Sequence, residues 1–315
     1  MSVSANVLVS TKSLSRDEWA NVWRKKGIGG SDIGAICGLN PWKSPMVVYM
    51  EKINELPELE DNDAMLFGRL LEDIVAQEYA RRTGKKVQRR NAILQHPAHH
   101  WALANVDRII IDKERGNGVL EIKTASEYAN ADWKDGQPPD QYVLQIQWYL
   151  WITGYQWGAF AALVGGNKFY TMEIERDDEL IASIAKIAED FWQFVESRTP
   201  PPFDGSDAST NLIKAMYPES KIGAEIALPS EAEEWIRNVQ EAKTQIHYWE
   251  DREAENENRL KALLGENEAG VFKDTRVIWK TTNANRLDTN KLKAEQPDLY
   301  KQYLKQGSSR RFEIK

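Results

Sequence analysis

The segment Val119-Leu-Glu-Ile-Lys-Thr is the most informative in this sequence about possible catalytic chemistry. Side chains alternate between the two faces of a β-strand, so Glu121 and Lys123 lie on one face, two residues apart. A carboxylate and an ammonium group then share one site. The spacing alone is not specific, because an acid two residues before a lysine also occurs at Asp132, Glu219, Glu241 and Glu313.

The context of Glu121 distinguishes it from the other copies. An earlier predicted strand contains Ala104-Asn-Val-Asp107 and is joined to it by a short turn, and a mostly apolar helix follows. We expect Asp107 and Glu121 to lie on adjacent strands and to hold Mg²⁺, which prefers one or two carboxylates plus waters and substrate phosphate. Lys123 then positions or polarises the attacking water. A cross-strand salt bridge in an exposed sheet is the alternative.

Two further polar residues extend this constellation. Glu72 lies in a mostly apolar helical stretch. If its carboxylate faces the core, it needs a partner or a metal; if it faces water, it needs neither. Gln145 precedes Tyr149 by one helical turn, so both project from one face, and its amide can hold Lys123 or a water. Gln147, on a different face of the helix, competes with Gln145 for this role. For both residues the alternative is a buried amide that only makes structural hydrogen bonds.

A glycine-rich turn at residues 27–34 is a second candidate site. Its glycines allow close approach of the backbone to a ligand, Ser31 offers a hydroxyl beside helix N-terminal amides, and Arg24 can supply a bidentate phosphate contact. The turn is not a Walker motif and does not follow a strand as a dinucleotide fingerprint does. A phosphate pocket and a simple turn between helices both fit the pattern.

The elements that position these residues follow from hydrophobic periodicity and turn signals. The first 12 or so residues are polar and expected to be loose. Helices are predicted at about 15–25, 31–38, 44–54, 63–82, 142–153, 177–196, 229–264 and 291–304. The second of these is predicted to be capped by Ser31 and Asp32, and the fourth to bury Leu66, Leu70, Ile74, Val75 and Tyr79. Strands are predicted at 87–95, 101–111, 119–123, 157–164, 168–174 and 310–314, and a strand or hairpin at 271–281.

Composition limits the class of protein. The 315 residues contain one cysteine and four histidines, which excludes a disulfide framework and a Cys/His zinc cluster, so any metal must sit on carboxylates. A net charge of −7 argues against non-specific coating of nucleic acid, although residues 81–90 carry six cations and fit either a local DNA contact or a solvated loop. Without an apolar span or a signal-like start, the protein is expected in the cytoplasm.

An ordered set of motifs resembles the YqaJ-like viral recombinase family, which includes the lambda-type exonucleases of phage recombination. The set consists of Arg24 with Gly29-Gly-Ser-Asp-Ile, then Gly68-Arg-Leu-Leu-Glu72, Asp107, Glu121-x-Lys123 and Gln145-Ile-Gln-Trp-Tyr149. The resemblance covers about residues 20–200. It implies an α/β (α+β) fold with a PD-(D/E)xK restriction-endonuclease-like core, in which helices flank a central mixed β-sheet. Residues 1–204 are then the YqaJ-like exonuclease domain, and residues 205–315 a mainly helical extension whose role the sequence does not assign.

The resemblance also implies residue roles. Asp107, Glu121 and Glu72 become metal ligands, Lys123 the water-activating residue and Gln145 its helper, at a site for two Mg²⁺ ions in which Mn²⁺ can substitute. Arg24 and Ser31 match the family's pocket for a terminal 5′-phosphate. Asn105 is expected to contact phosphate or DNA as well, at a position where a serine can occur in the family. The sequence departs from the family pattern there and after Thr124, where an arginine is expected.

By the same resemblance, the protein is a Mg²⁺-dependent hydrolase that digests linear double-stranded DNA from 5′ ends. It leaves 3′ single-stranded tails for recombination with a single-strand annealing protein, and it forms a ring-like trimer without a membrane partner. Two other hypotheses stay open: an endonuclease of the same fold, and a non-catalytic protein that binds DNA ends. Activity on closed circular DNA would favour the endonuclease. Binding of DNA ends without hydrolysis, with a purely structural acidic cluster, would favour the end-binding protein.

Overall fold

A computed structural model describes residues 5–56, 62–134, 137–305, 307 and 309–315. The chain divides into two compact units, Met1–Tyr217 and Pro218–Lys315. The first unit therefore continues past residue 204, the predicted end of the catalytic domain, and includes a helix whose Leu212 lies in its core.

Two sheets and eight α-helical segments build the described part of the first unit. Its strands are β1 (Asn6–Ser10), β2 (Lys86–Arg89), β3 (Ala92–Gln95), β4 (Leu103–Ala104), β5 (Arg108–Ile111), β6 (Gly118–Ala125), β7 (Trp157–Val164) and β8 (Lys168–Glu175). Its helices are α1 (Arg16–Glu18), α2 (Gly30–Ile36), α3 (Pro45–Lys52), α4 (Asp63–Thr83), α5 (Asn130–Lys134), α6 (Asp140–Thr153), α7 (Asp178–Ser197) and α8 (Asp207–Met216).

The central sheet has five strands in the order β2-β5-β6-β7-β8. The β6–β7 pair is parallel and the other three pairs are antiparallel, so the sheet is mixed. A parallel pair requires a crossover connection, and the buried helix α6 supplies it. A smaller antiparallel sheet has the order β1-β3-β4.

Helices cover both faces of the central sheet. Val75, Ala76 and Tyr79 of α4 pack with Leu120 and Ile122 on one face. The other face packs against α6 and α7, in a core that includes Val119, Ile146, Trp148, Phe160 and Ile184. The expected architecture, a central mixed sheet flanked by helices, is confirmed.

Several local expectations were wrong. The amino-terminal segment contains β1 rather than loose chain, and the described residues at 310–314 form no strand. The predicted strand at 87–95 is divided between the two sheets, because the amide of Ala92 donates to the carbonyl of Arg90 and turns the chain. In α4, Leu66, Leu70 and Ile74 are exposed, since only the second half of this helix packs on the sheet.

The second unit consists of one long helix followed by a hairpin and two short helices. These are α9 (Ala232–Leu264), the antiparallel strands β9 (Ala269–Phe272) and β10 (Thr275–Ile278), α10 (Thr289–Glu295) and α11 (Pro297–Gln302). The long helix was predicted, and the hairpin is one of the two alternatives expected for residues 271–281. No helix among the described residues is long and apolar enough to cross a membrane.

Candidate active site

Glu121 and Lys123 project from the same face of β6, as the alternation of the strand predicts. Lys123 Nζ lies 2.8 Å from Glu121 Oε1. Asp107 immediately precedes β5, the neighbouring antiparallel strand, and its Oδ2 accepts a hydrogen bond of 2.9 Å from the amide of Ile122. The two carboxylates and the ammonium group therefore meet at one end of the β5–β6 pair.

Burial gives this cluster unusual electrostatics. It raises the pKa of Asp107 well above its ordinary value, and the neighbouring Glu121 and Glu72 raise it further. Burial raises the pKa of Glu121 as well, although Lys123 opposes that shift. Burial disfavours the Lys123 ammonium, but Glu121 and Asp107 outweigh it and keep the pKa of Lys123 above its ordinary value. One lysine thus faces more carboxylate charge than it can neutralise.

The donor set of Asp107 and Glu121 fits a divalent cation. Glu121 Oε2 is buried and accepts no hydrogen bond from the described residues, which is costly for a carboxylate oxygen unless another positive group is present. Hard cations such as Mg²⁺ take carboxylate oxygens as ligands and often need only one or two from the protein. These two residues could therefore hold the metal that the sequence analysis expects.

Glu72 lies near Asp107 and Glu121 but pairs with Arg108 rather than with Lys123. Arg108 Nη1 donates to Glu72 Oε1 at 2.6 Å, and Arg108 also pairs with Asp73. Among the described residues, no three carboxylate, imidazole or thiol side chains converge on one cation position. Glu72 is a neighbour of the Asp107–Glu121 pair in this arrangement, and the local sequence gave no signal for Arg108 as its partner.

Gln145 joins the catalytic candidates to helix α6. Its Oε1 accepts from Lys123 Nζ at 2.9 Å, while its Nε2 donates to Glu121 Oε1 at 2.6 Å and to the Tyr149 hydroxyl at 3.0 Å. Gln147 lies elsewhere: it donates to the carbonyl of Glu175 and accepts from the amide of Asp177. The structure therefore places Gln145 at the site and gives Gln147 a structural contact.

A small pocket adjoins this cluster. It has a volume of about 190 Å³, and its lining includes Arg24, Ser31 and Asn105, the three residues expected to contact phosphate. Arg24 Nη2 lies 3.5 Å from Ser31 Oγ. Asp107 and Gln145 also line this pocket, so the predicted phosphate residues and the predicted catalytic residues share one cavity.

A helical irregularity shapes the wall of the pocket. The chain passes from α1 into a π-helical turn, Trp19–Trp23, and then into a 3₁₀ turn, Arg24–Lys26. π-Helical turns are rare and frequently occur at functional sites. Trp19, Trp23 and Arg24 all line the pocket, and the Arg24 guanidinium lies 5.5 Å from the centre of the Trp19 ring.

A buried ion cluster behind the pocket was not predicted. Asp32 accepts from Lys52 at 2.7 Å and from Lys43 at 2.8 Å, and Glu51 accepts from Arg24 Nε at 2.9 Å. Burial opposes the charge of Asp32, yet Lys43, Lys52 and Arg24 hold its pKa well below its ordinary value. The three cations and two carboxylates leave one net positive charge, and the member that lines the pocket is Arg24. The only sequence signal was Asp32, which was expected to cap α2; Gly29 occupies that cap, and its amide donates to Asp32.

A larger cleft of about 930 Å³ adjoins the small pocket and shares Trp19, Arg24, Asn105 and Asp107 with it. Its lining also includes polar residues of α4 and β6: Arg69, Glu72, Glu121, Lys123 and Thr124. An open cleft that adjoins a confined pocket suits a polymeric substrate whose end enters the pocket.

Comparison with known proteins identifies the family. The sequence model of the YqaJ-like viral recombinase domain matches residues 18–156. The chain is 42% identical over 315 residues to the uncharacterized protein YqaJ of Bacillus subtilis (strain 168), which covers 99% of this chain and 98% of that protein. The chain therefore belongs to the YqaJ-like viral recombinase family.

Solved structures are similar over a little more than half of the chain, at lower identity. An alkaline exonuclease, LHK-Exo, from Laribacter hongkongensis is 24% identical, with a TM-score of 0.49, over 57% of this chain and 93% of that chain. A phage-related exonuclease from Haemophilus somnus 129PT is 14% identical, with a TM-score of 0.40, over 55% of this chain and 96% of that chain.

Proposed function

We propose that the protein is a divalent-metal-dependent deoxyribonuclease that digests linear duplex DNA from its 5′ ends and leaves 3′ single-stranded tails. The observation that carries the proposal is the contact of Lys123 with Glu121 and Gln145 beside the half-buried Asp107, with Glu121 Oε2 accepting no hydrogen bond from the described residues. Membership of a viral recombinase family supports a role for these tails in recombination.

The chain's own residues divide the work of phosphodiester hydrolysis. Asp107 and Glu121 would hold the cation, with Mg²⁺ as the physiological ion and Mn²⁺ as a substitute. When bound, such an ion would neutralise phosphate charge and lower the pKa of a bound water. Lys123, kept protonated by its two carboxylate neighbours, orients that water or donates to a phosphate oxygen. Gln145 fixes the position of the Lys123 ammonium group.

The small pocket supports recognition of a terminal 5′-phosphate. Arg24 offers a guanidinium group, Ser31 a hydroxyl near the amino-terminus of α2, and Asn105 a further amide. Lys43 and Lys52 offset the charges of Asp32 and Glu51, so the Arg24 guanidinium contributes one net positive charge that favours an anion in the pocket. Because the pocket adjoins the carboxylates, a phosphate bound in it places the end of the DNA strand next to the groups that cleave it. In the proposed recombination function, the protein forms a ring-like trimer and acts together with a single-strand annealing protein.

The proposal is tested with DNA substrates that differ in their ends. Linear duplex labelled at the 5′ or the 3′ terminus, and a covalently closed circle of the same sequence, are incubated with the protein in Mg²⁺ and in chelator. We expect Mg²⁺-dependent release of the 5′ label from the linear duplex, while the 3′ label stays in the shortened strand. The circle should not change. Cleavage of the circle would instead establish an endonuclease, and binding of ends without hydrolysis would overturn the nuclease proposal.

A further inference from the structure

Helix α9 carries a seven-residue hydrophobic repeat along its whole length. Positions spaced alternately by three and four residues are apolar in eight of ten cases: Ala232, Trp235, Val239, Ala242, Ile246, Trp249, Leu260 and Leu263, interrupted only by Glu253 and Asn256. A repeat sustained over four to five heptads is the signature of a coiled coil. We call this row of ten side chains the α9 seam.

The described structure leaves the α9 seam exposed. Trp249 is 63% exposed and Ile246 is 56% exposed, and every described residue from 240 to 260 is exposed on all sides of the helix. Only Ala232 and Leu264, at the two ends of the helix, are buried. A helix of 33 residues spans about 50 Å, so the seam is a long apolar surface that lacks a partner helix among the described residues.

We propose that the α9 seam binds the same seam of a second copy of this chain, with the two helices antiparallel. In an antiparallel coiled coil, alternate seam positions face each other across the interface, and one register overlaps the full length of both helices. This register places Ile246 opposite Trp249 of the second copy and Ala242 opposite Glu253. Ala242 is small, so the methylene stem of Glu253 fits over it while the carboxylate reaches water.

A charge within the seam favours the same orientation. A parallel pair would place the two Glu253 carboxylates against each other in the apolar seam, where like charges are destabilising. The flanking residues give two attractive pairs in either orientation: Lys243 of each helix faces Glu250 of the other in the antiparallel register, and Arg252 faces Glu257 in the parallel one. The seam therefore matches an antiparallel copy of itself better than a parallel one.

Two adjacent aromatic residues give a matched test of the interface. Trp249 lies on the seam, whereas Tyr248 lies outside it, and both are exposed, at 63% and 51%. The full-length wild type, Trp249→Asp and Tyr248→Asp are compared by sedimentation equilibrium over a range of concentrations. We expect Trp249→Asp to raise the dissociation constant of self-association by about tenfold or more and Tyr248→Asp to leave it near the wild-type value. Any association through the first unit is common to all three proteins.

Charge exchange tests the orientation. Lys243→Glu and Glu250→Lys each weaken association in the antiparallel arrangement, and the double variant restores it, because the attractive pairs re-form with opposite sign. The matched control is Arg252→Glu with Glu257→Arg, for which no rescue is expected. Rescue by this control pair alone would overturn the antiparallel arrangement. A wild type that stays monomeric, or whose association is the same in Trp249→Asp, would overturn the proposal.

Discussion

Replacing Gly30 by alanine tests whether helix α2 holds the catalytic residues in place. An added Cβ at this position would lie 2.7 Å from Tyr149 Cζ and 3.1 Å from Gln145 Cγ. Both side chains are buried on α6, so they cannot move without disturbing the hydrogen bond between Gln145 and Lys123. The packing of α2 against Tyr149 and Gln145 therefore leaves no space for a methyl group at position 30.

The magnitude follows from two opposing effects. Overpacking of a buried site costs about 1–3 kcal/mol, and the exchange of glycine for alanine in a helix returns about 0.5–1 kcal/mol. We therefore expect Gly30→Ala to lose about 1–2 kcal/mol of unfolding free energy. A displacement of the order of 1 Å at a catalytic group lowers a rate by about 100-fold, and we expect a loss of that order in the cleavage rate.

The neighbouring glycine provides the control. A Cβ added at Gly29 would meet only Asp32 Oδ2, at an ordinary 3.7 Å, so Gly29→Ala should keep the wild-type stability. Gly29 also lines the small pocket, so any loss of cleavage rate in Gly29→Ala should come without a loss of stability. Urea denaturation measures the stability of both variants, and single-turnover digestion of linear duplex DNA measures the rate. If Gly30→Ala is as stable and as active as Gly29→Ala, the proposed link from α2 through Tyr149 and Gln145 to Lys123 is wrong.

Three further predictions concern the cation, the phosphate pocket and pH. Asp107→Asn should abolish cleavage and also the rise in melting temperature that Mg²⁺ gives the wild type; an equal rise in both proteins would exclude Asp107 as a ligand. Arg24→Gln should reduce the preference for 5′-phosphorylated over 5′-hydroxyl ends, measured as a ratio of initial rates, and an unchanged ratio would place phosphate recognition elsewhere. Burial lowers the pKa of His96 to about 4, so the folded state takes up its proton less readily than the unfolded state. Stability should therefore be full above pH 6.5 and fall by up to about 3 kcal/mol as the pH approaches 4. Denaturant titrations at each pH should show this loss in the wild type and not in His96→Gln.

The sequence predicts the parts of the site that depend on local periodicity. Alternation along β6 is sufficient to bring Glu121 and Lys123 onto one face, and the short turn before β6 is sufficient to bring Asp107 beside them. One helical turn of α6 is sufficient to place Gln145 next to Tyr149. These relations involve neighbours within a strand, a hairpin or a helix, and such geometry is fixed by the backbone.

Contacts between distant elements could not be predicted in the same way. The buried Asp32–Lys52 pair joins α2 to α3, and neither segment differs in its own pattern from a helix with a solvated charge. The Glu72–Arg108 pair joins α4 to β5, and the sequence left open whether Glu72 faces water or the core. The break of the chain at Arg90 also depends on tertiary structure, because the residues on both sides favour strands and only the packing assigns them to different sheets.

The most direct measurement of the central claim is the single-turnover cleavage rate of Lys123→Met on end-labelled linear duplex DNA in Mg²⁺. The control is Lys113→Met, which removes an exposed lysine in the connection between β5 and β6. We predict that Lys123→Met binds the duplex but cleaves it about 10²–10⁴ times more slowly than the wild type, whereas Lys113→Met cleaves it normally. Equal rates in the two variants would contradict the assignment of the active site to Glu121, Lys123 and Asp107.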